Sequence, residues 1–177
     1  ETDITFLEYL QNSNAYKNKI ATFSTWDVFP YIINDKRSQV YVNAGFDPFS
    51  FKTQGFDILN DLQTLSAKPL DVRLDINTFL AAKEYVKNFQ PKVLYISFDE
   101  TDDYAHAGLY DQYLKMGHSI DKMIENLWNY YQSIPQYKNK TTFLITCDHG
   151  RGDYIKSEWT SHGTEIKESG EIWYAII

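Results

Sequence analysis

Two kinds of hydrophobic spacing alternate along the chain. Apolar residues recur every three or four positions in Ile4 to Asn12, in Asn77 to Phe89 (Phe79, Leu80, Tyr85, Val86, Phe89) and in Tyr110 to Ile134. In the last of these Leu114, Gly117, Ile120, Ile124, Leu127 and Tyr131 mark one stripe. That period predicts three amphipathic helices, the first with Thr2 as a candidate cap. Between them lie short apolar runs at Ile20 to Ser24, Val40 to Asn43, Lys92 to Phe98, Thr141 to Thr146 and Glu171 to Ile177, which predict strands. Two of these, VLYISF and TFLITC, are apolar throughout, as strands covered on both faces are. The segment from Asp47 to Leu74 shows no clear period, and Gly55 and Pro69 mark turns in it.

This alternation predicts an α/β fold, a layered and mostly parallel sheet with helices on both faces, in a single domain over residues 1–177. The chain opens inside a helical pattern and closes on EIWYAII with no turn after it. The expectation is therefore a fragment, incomplete at both ends.

Composition narrows the partners. With 177 residues, 43% hydrophobic and 16% aromatic, the chain can bury a substantial core and is not a disordered polymer. The net charge of −7 offers no basic footprint for nucleic acid or for an anionic membrane surface. No apolar run approaches the roughly 18 residues of a membrane span, and oligomeric state is not legible. A single cysteine, Cys147, cannot form an internal disulfide and says nothing of the compartment. Small molecules and metal ions remain as the natural ligands.

The candidate chemistry lies just beyond predicted strands, where open α/β sheets gather their ligands. After the strand Lys92–Phe98 the sequence FDETDDYAHAG crowds Asp99, Glu100, Asp102 and Asp103 ahead of His106. Crowded carboxylates raise one another's pKa unless a cation lies among them. Asp102 and His106 are four apart, so one helical turn sets them on one face. After Thr141–Thr146 comes Asp148-His149-Gly150, and further on Ser161-His162-Gly163. Imidazole mixed with carboxylate suits zinc, whereas calcium and magnesium prefer oxygen alone. His118 sits mid-helix and reads as a surface or hydrogen-bonded residue. Cys147 reads as a small apolar residue, and Trp26, Phe29 and Trp159 read first as packing aromatics and second as a pocket lining. Asn139-Lys140-Thr141 fits the glycosylation acceptor pattern.

Taken in order, Glu100-Thr101-Asp102-Asp103-Tyr104-Ala105-His106, Asp148-His149-Gly150 and His162-Gly163 resemble the alkaline phosphatase superfamily. The nearest branches are the phosphodiesterases, nucleotide pyrophosphatases and phosphoglycerate mutase-like enzymes. The resemblance covers roughly Pro91 to the C-terminus, and Ala105 stands where those proteins usually carry glycine. It implies a metal-dependent hydrolase or phosphotransferase acting on small phosphoric esters through two divalent ions, zinc first and manganese second. It also implies that Asp102, His106 and His162 hold one ion, and Asp148 and His149 the other. The family's nucleophile and a further aspartate belong to a segment expected upstream of Glu1, which would leave the second site incomplete and the fragment inactive. Arg151 stands where a guanidinium could reach a phosphate oxygen. The family slightly favours an extracytoplasmic location. The competing readings are a metal- or ligand-binding α/β module that has lost catalysis, and a sulfatase-like hydrolase.

Overall fold

A computed structural model describes residues 3–67, 71–153 and 155–177. The expectations for Thr2 and Pro69 lie outside the described residues. The chain divides into two compact units, Glu1–Glu100 and Thr101–Ile177.

The first unit runs α1 (Phe6–Gln11), β1 (Ile20–Ser24), α2 (Phe29–Ile32), α3 (Asp35–Ser38), β2 (Tyr41–Ala44), α4 (Gln54–Leu65), α5 (Asp75–Phe89) and β3 (Val93–Ser97). Its last residue, Glu100, opens α6 (Glu100–His106). The three strands form a parallel sheet in the order β2-β1-β3, with Ala21 opposite Tyr41 and Leu94. Alternation along the central strand explains the layers, because successive side chains leave opposite faces. Ala21 and Phe23 pack with Phe49, with Phe56 and Leu59 of α4, and with Ala81 and Ala82 of α5. On the other face Ile20 packs with Leu7 of α1, Phe29 of α2, Ile33, Val40 and Ala44. The parallel sheet flanked by helices is thus the α/β layering that the hydrophobic pattern predicts.

Local chemistry sets the helix starts. The Thr5 hydroxyl accepts the Glu8 N–H at 3.2 Å and starts α1. Thr53 accepts the Phe56 N–H at 3.2 Å and starts α4, so Gly55 lies in a first helical turn rather than in a loop turn. A Cβ at Gly55 would stand 2.5 Å from Oε1 of Glu84, which accepts the Thr53 hydroxyl at 3.0 Å.

The carboxyl ends of β1 and β2 hold a buried polar network. Arg73 is fully buried, donating from Nε to Thr78 Oγ1 (2.9 Å), from Nη1 to Asn43 Oδ1 (2.5 Å) and from Nη2 to the Ser24 carbonyl (2.6 Å). Asp75, equally buried, accepts the Thr25 hydroxyl (2.6 Å) and the backbone N–H groups of Asp99 (2.9 Å) and Glu100 (3.2 Å). Glu100 returns the bond, since its Oε2 accepts the Asp75 N–H at 2.6 Å. Two helices therefore cap each other's first turns, an arrangement that satisfies orphan donors at both.

The second unit contains the rest of α6, then α7 (Tyr110–Ser133), β4 (Leu144–Thr146), α8 (Lys156–Trp159), a 3-10 turn at Lys167–Gly170 and β5 (Tyr174–Ile176). The long helix buries Met123, Leu127 and Tyr131, while Leu114 at the start of the predicted stripe is exposed. Phe143 packs edge-on against Trp128 and Tyr131, with ring centroids 5.2 and 5.5 Å apart. The strand predicted in TFLITC forms but differs from expectation. It pairs antiparallel with β5 in a two-stranded ribbon, Ile145 opposite Ala175, and Leu144 is 67% exposed. Uniform apolar composition reports an extended segment, and it does not by itself report a layer on each side. Among the described residues no helix is long and apolar enough to cross a membrane.

Burial raises the Asp75 carboxyl to about 7, against the opposing bonds from Thr25 and the Asp99 and Glu100 backbone. The folded protein then holds this proton to a higher pH than the unfolded chain, whose aspartates titrate near ~3.9. Its contribution is fully present below the unfolded value and is lost as pH rises through about 7. Stability from this group should fall by up to about 1.4 kcal/mol per pH unit between roughly pH 5 and 7 and level off above. Denaturant unfolding at a series of pH values should show that Asp75→Asn is less stable but lacks this slope. Equal slopes in the two proteins would assign the titration to another group.

Candidate metal centre

The site is built within the second unit from three short segments. Helix α6 places Asp102 and His106 one turn apart, and His106 Nε2 lies 3.1 Å from Asp102 Oδ2. The segment after β4 delivers His149, whose Nε2 is 3.7 Å from Asp102 Oδ1. The loop after α8 delivers His162, whose Nε2 is 3.8 Å from the same oxygen. Three imidazoles therefore converge on one carboxylate. The His149 and His162 rings stack at 3.8 Å between centroids and 18° between planes, and the His106 and His162 centroids are 5.0 Å apart.

Backbone shape explains how the two loop histidines arrive. The chain leaves β4 and doubles past the 3-10 turn, where the Gly150 N–H donates to the Ser169 carbonyl at 3.0 Å. A Cβ at Gly150 would overlap the Glu168 carbonyl oxygen, so only glycine fits there. Gly163, directly after His162, takes φ +133, a conformation that side chains disfavour. Its N–H donates to the Ser169 hydroxyl at 2.9 Å.

Among the described residues, Asp102, His106 and His162 form a group able to hold an ion, with one ligand atom from each lying within 4.8 Å of the others. Zinc bonds nitrogen and carboxylate oxygen at about 2.0–2.2 Å, so modest side-chain rotations bring all three to one centre. The donor set, two imidazoles and a carboxylate with a position left over, fits a catalytic rather than a closed structural site. The side chains are partly buried, at 29% exposure for Asp102, 44% for His106 and 32% for His162. Burial, with His149 close by, lowers the His162 pKa below the ordinary imidazole value and favours the neutral ligand form. His149 is oriented by its neighbour: Nδ1 is 2.9 Å from the Gly150 carbonyl oxygen. In the tautomer that donates there, Nε2 keeps its lone pair for an ion.

Asp148 stands apart from this group. Its side chain is 89% exposed, with Oδ2 3.7 Å from His149 Nε2. Arg151 does not face open solvent as a loop arginine would. It donates from Nη1 to the Trp159 carbonyl at 2.8 Å and from Nη2 to Asp102 Oδ1 in a short ion pair. No local pattern signals that pair, because its members lie 49 positions apart. Trp159 itself packs edge-on to Tyr110 at 5.3 Å. Phe29 is core and Trp26 is 47% exposed, while His118 lies exposed on α7 and Cys147 is half-buried. Of the crowded acids, Glu100 serves the capping exchange with Asp75 through its carboxylate, and Asp99 joins it only through its backbone N–H.

The model of the metalloenzyme superfamily matches residues 61–166, more than half the chain, and the chain belongs to that family. The family is a member of the alkaline phosphatase-like fold group, and membership implies divalent metal binding. Comparison with curated proteins gave no match, and comparison with solved structures gave none.

Replacing His162 with Ala should weaken zinc binding about 100-fold or more, one ligand's share of the ~10–16 kcal/mol that such sites supply. Isothermal calorimetry measures this, and an unchanged affinity would remove His162 from the centre. Because imidazoles must be neutral to ligate, affinity should fall as pH drops below the histidine range of about 6 to 7. The lowered pKa of His162 makes its own part of that loss begin at lower pH than for an ordinary histidine.

Proposed function

We propose that this chain carries the metal centre of a hydrolase or phosphotransferase that acts on small phosphoric esters through two divalent ions, zinc or manganese. The observation that carries the reading is the convergence of His106, His149 and His162 on Asp102. One ion would take Asp102, His106 and His162. The other would draw on His149, already oriented by the Gly150 carbonyl, and on Asp148, whose exposed carboxylate could swing toward it.

The chemistry is dictated by charge. In-line displacement at phosphorus develops negative charge on the entering and leaving oxygens, and a pair of cations supplies neutralisation on both sides. The chain's own contribution is to hold neutral imidazoles and one carboxylate in register. Arg151 lies beside these ligands and has the planar donor fork that suits a phosphate oxygen. The competing reading, a metal-binding module without turnover, shares every ligand and differs only in the assay.

Supplied with zinc or manganese, the protein should hydrolyse an aryl phosphate or a bis-aryl phosphodiester. Chelation should abolish turnover, and Asp102→Ala should lower it by about 1,000-fold or more, the several kcal/mol of charge stabilisation lost with an ion. Tight metal binding without turnover of either ester would favour the binding module. Turnover of aryl sulfates in preference to both would favour the sulfatase-like alternative.

A further inference from the structure

We infer that Arg151 is the resident cation of the metal-free centre, and that a divalent ion enters by displacing its guanidinium from Asp102. The inference rests on the cluster being a metal site and is independent of the ester chemistry.

The charges of the site come first. Asp102 is the carboxylate on which the group converges, and three imidazoles and one guanidinium surround it. With the imidazoles neutral, as ligands must be, Arg151 is the charge among these residues that balances Asp102. The Arg151 side chain is only 13% exposed and is fixed at its second nitrogen by the Trp159 carbonyl at 2.8 Å. A guanidinium in that setting is poorly hydrated and strongly held by its carboxylate.

Geometry makes the two cations competitors. Arg151 donates to Oδ1 of Asp102, the oxygen nearest both His149 Nε2 and His162 Nε2. An ion bonded to His162 and to that oxygen would sit directly beside the guanidinium that now donates to it. If the ion bonded Oδ2 instead, two positive charges would share one carboxylate. The like-charge repulsion then falls on the guanidinium, which has no imidazole ligands to hold it. The Trp159 carbonyl offers the displaced arginine a neutral anchor, so a small swing about that contact is enough to clear Asp102. Metal loading is thus an exchange of one cation for another at the Asp102 carboxylate.

The test is zinc binding by the full chain, measured by calorimetry for wild type, Arg151→Gln and Arg151→Lys. Removing the charge should tighten binding about tenfold or more, while the lysine variant keeps the competing charge and should stay close to wild type. An affinity in Arg151→Gln equal to or weaker than wild type overturns the inference and makes Arg151 a support for the bound ion. A wild type that binds no divalent ion would sink the metal-centre reading and the exchange with it. Because the glutamine variant could fold poorly, nitrogen-15 side-chain spectra of the wild-type protein during a zinc titration give a second measure. The Arg151 guanidinium signals should shift and broaden as the bond to Asp102 is lost. Signals unchanged at saturation would show the pair intact and overturn the exchange.

Discussion

The mutual capping of Asp75 and Glu100 is the constraint on which the carboxyl edge of the parallel sheet depends. Two carboxylates with 0% and 5% exposure have been taken out of water, which is costly unless each finds donors. They find them in each other's backbones, together with the Thr25 hydroxyl just past the end of β1 and the Asp99 N–H in the turn after β3. The exchange therefore ties the end of the central strand, the start of α5 and the start of α6 at one point. Arg73 extends the same tie to β2 through Asn43 and to β1 through the Ser24 carbonyl. Burial pushes this arginine down to about 10, still well on the charged side at neutral pH.

Helix α6 divides the crowded acids between two tasks. Its first residue, Glu100, belongs to the capping exchange, and the turn after it presents Asp102 and His106 to the centre. The division is physical. A carboxylate at a helix N-terminus is stabilised by unpaired N–H groups, and one placed further along is available to a cation.

The periodic elements are legible in the sequence because each buries a stripe or a face: the pattern places β1 at its observed bounds, and α5, α7 and β3 within two residues. Asp102, His106 and His162, which the family resemblance assigns to one ion, also come together in the structure. Other features are hidden for identifiable reasons. Gly55 conceals helix α4, since it reads as a turn until the Glu84 carboxylate beside it is known. Arg73 and Asp75 look like ordinary loop charges, because most of their partners are 24 to 50 residues away and buried pairing leaves no local pattern. The antiparallel pairing of β4 with β5 is likewise silent, as apolar composition carries strand but not direction. Arg151 reads as a phosphate contact or a solvent-facing loop residue, and its bond to Asp102 emerges only in three dimensions.

Gly150 carries a wider lesson about the three letters Asp-His-Gly. A side chain there would collide with the carbonyls of Glu168 and Glu171 before it reached any ligand. The same residue lends its own carbonyl to orient His149. The third letter is thus fixed by how two strands' flanking segments pass each other. A module descended from this one could lose its reaction, relax the aspartate and the histidine, and still be obliged to keep the glycine. In such a descendant the surviving glycine would record the path of the chain and nothing about the ion it once helped to seat.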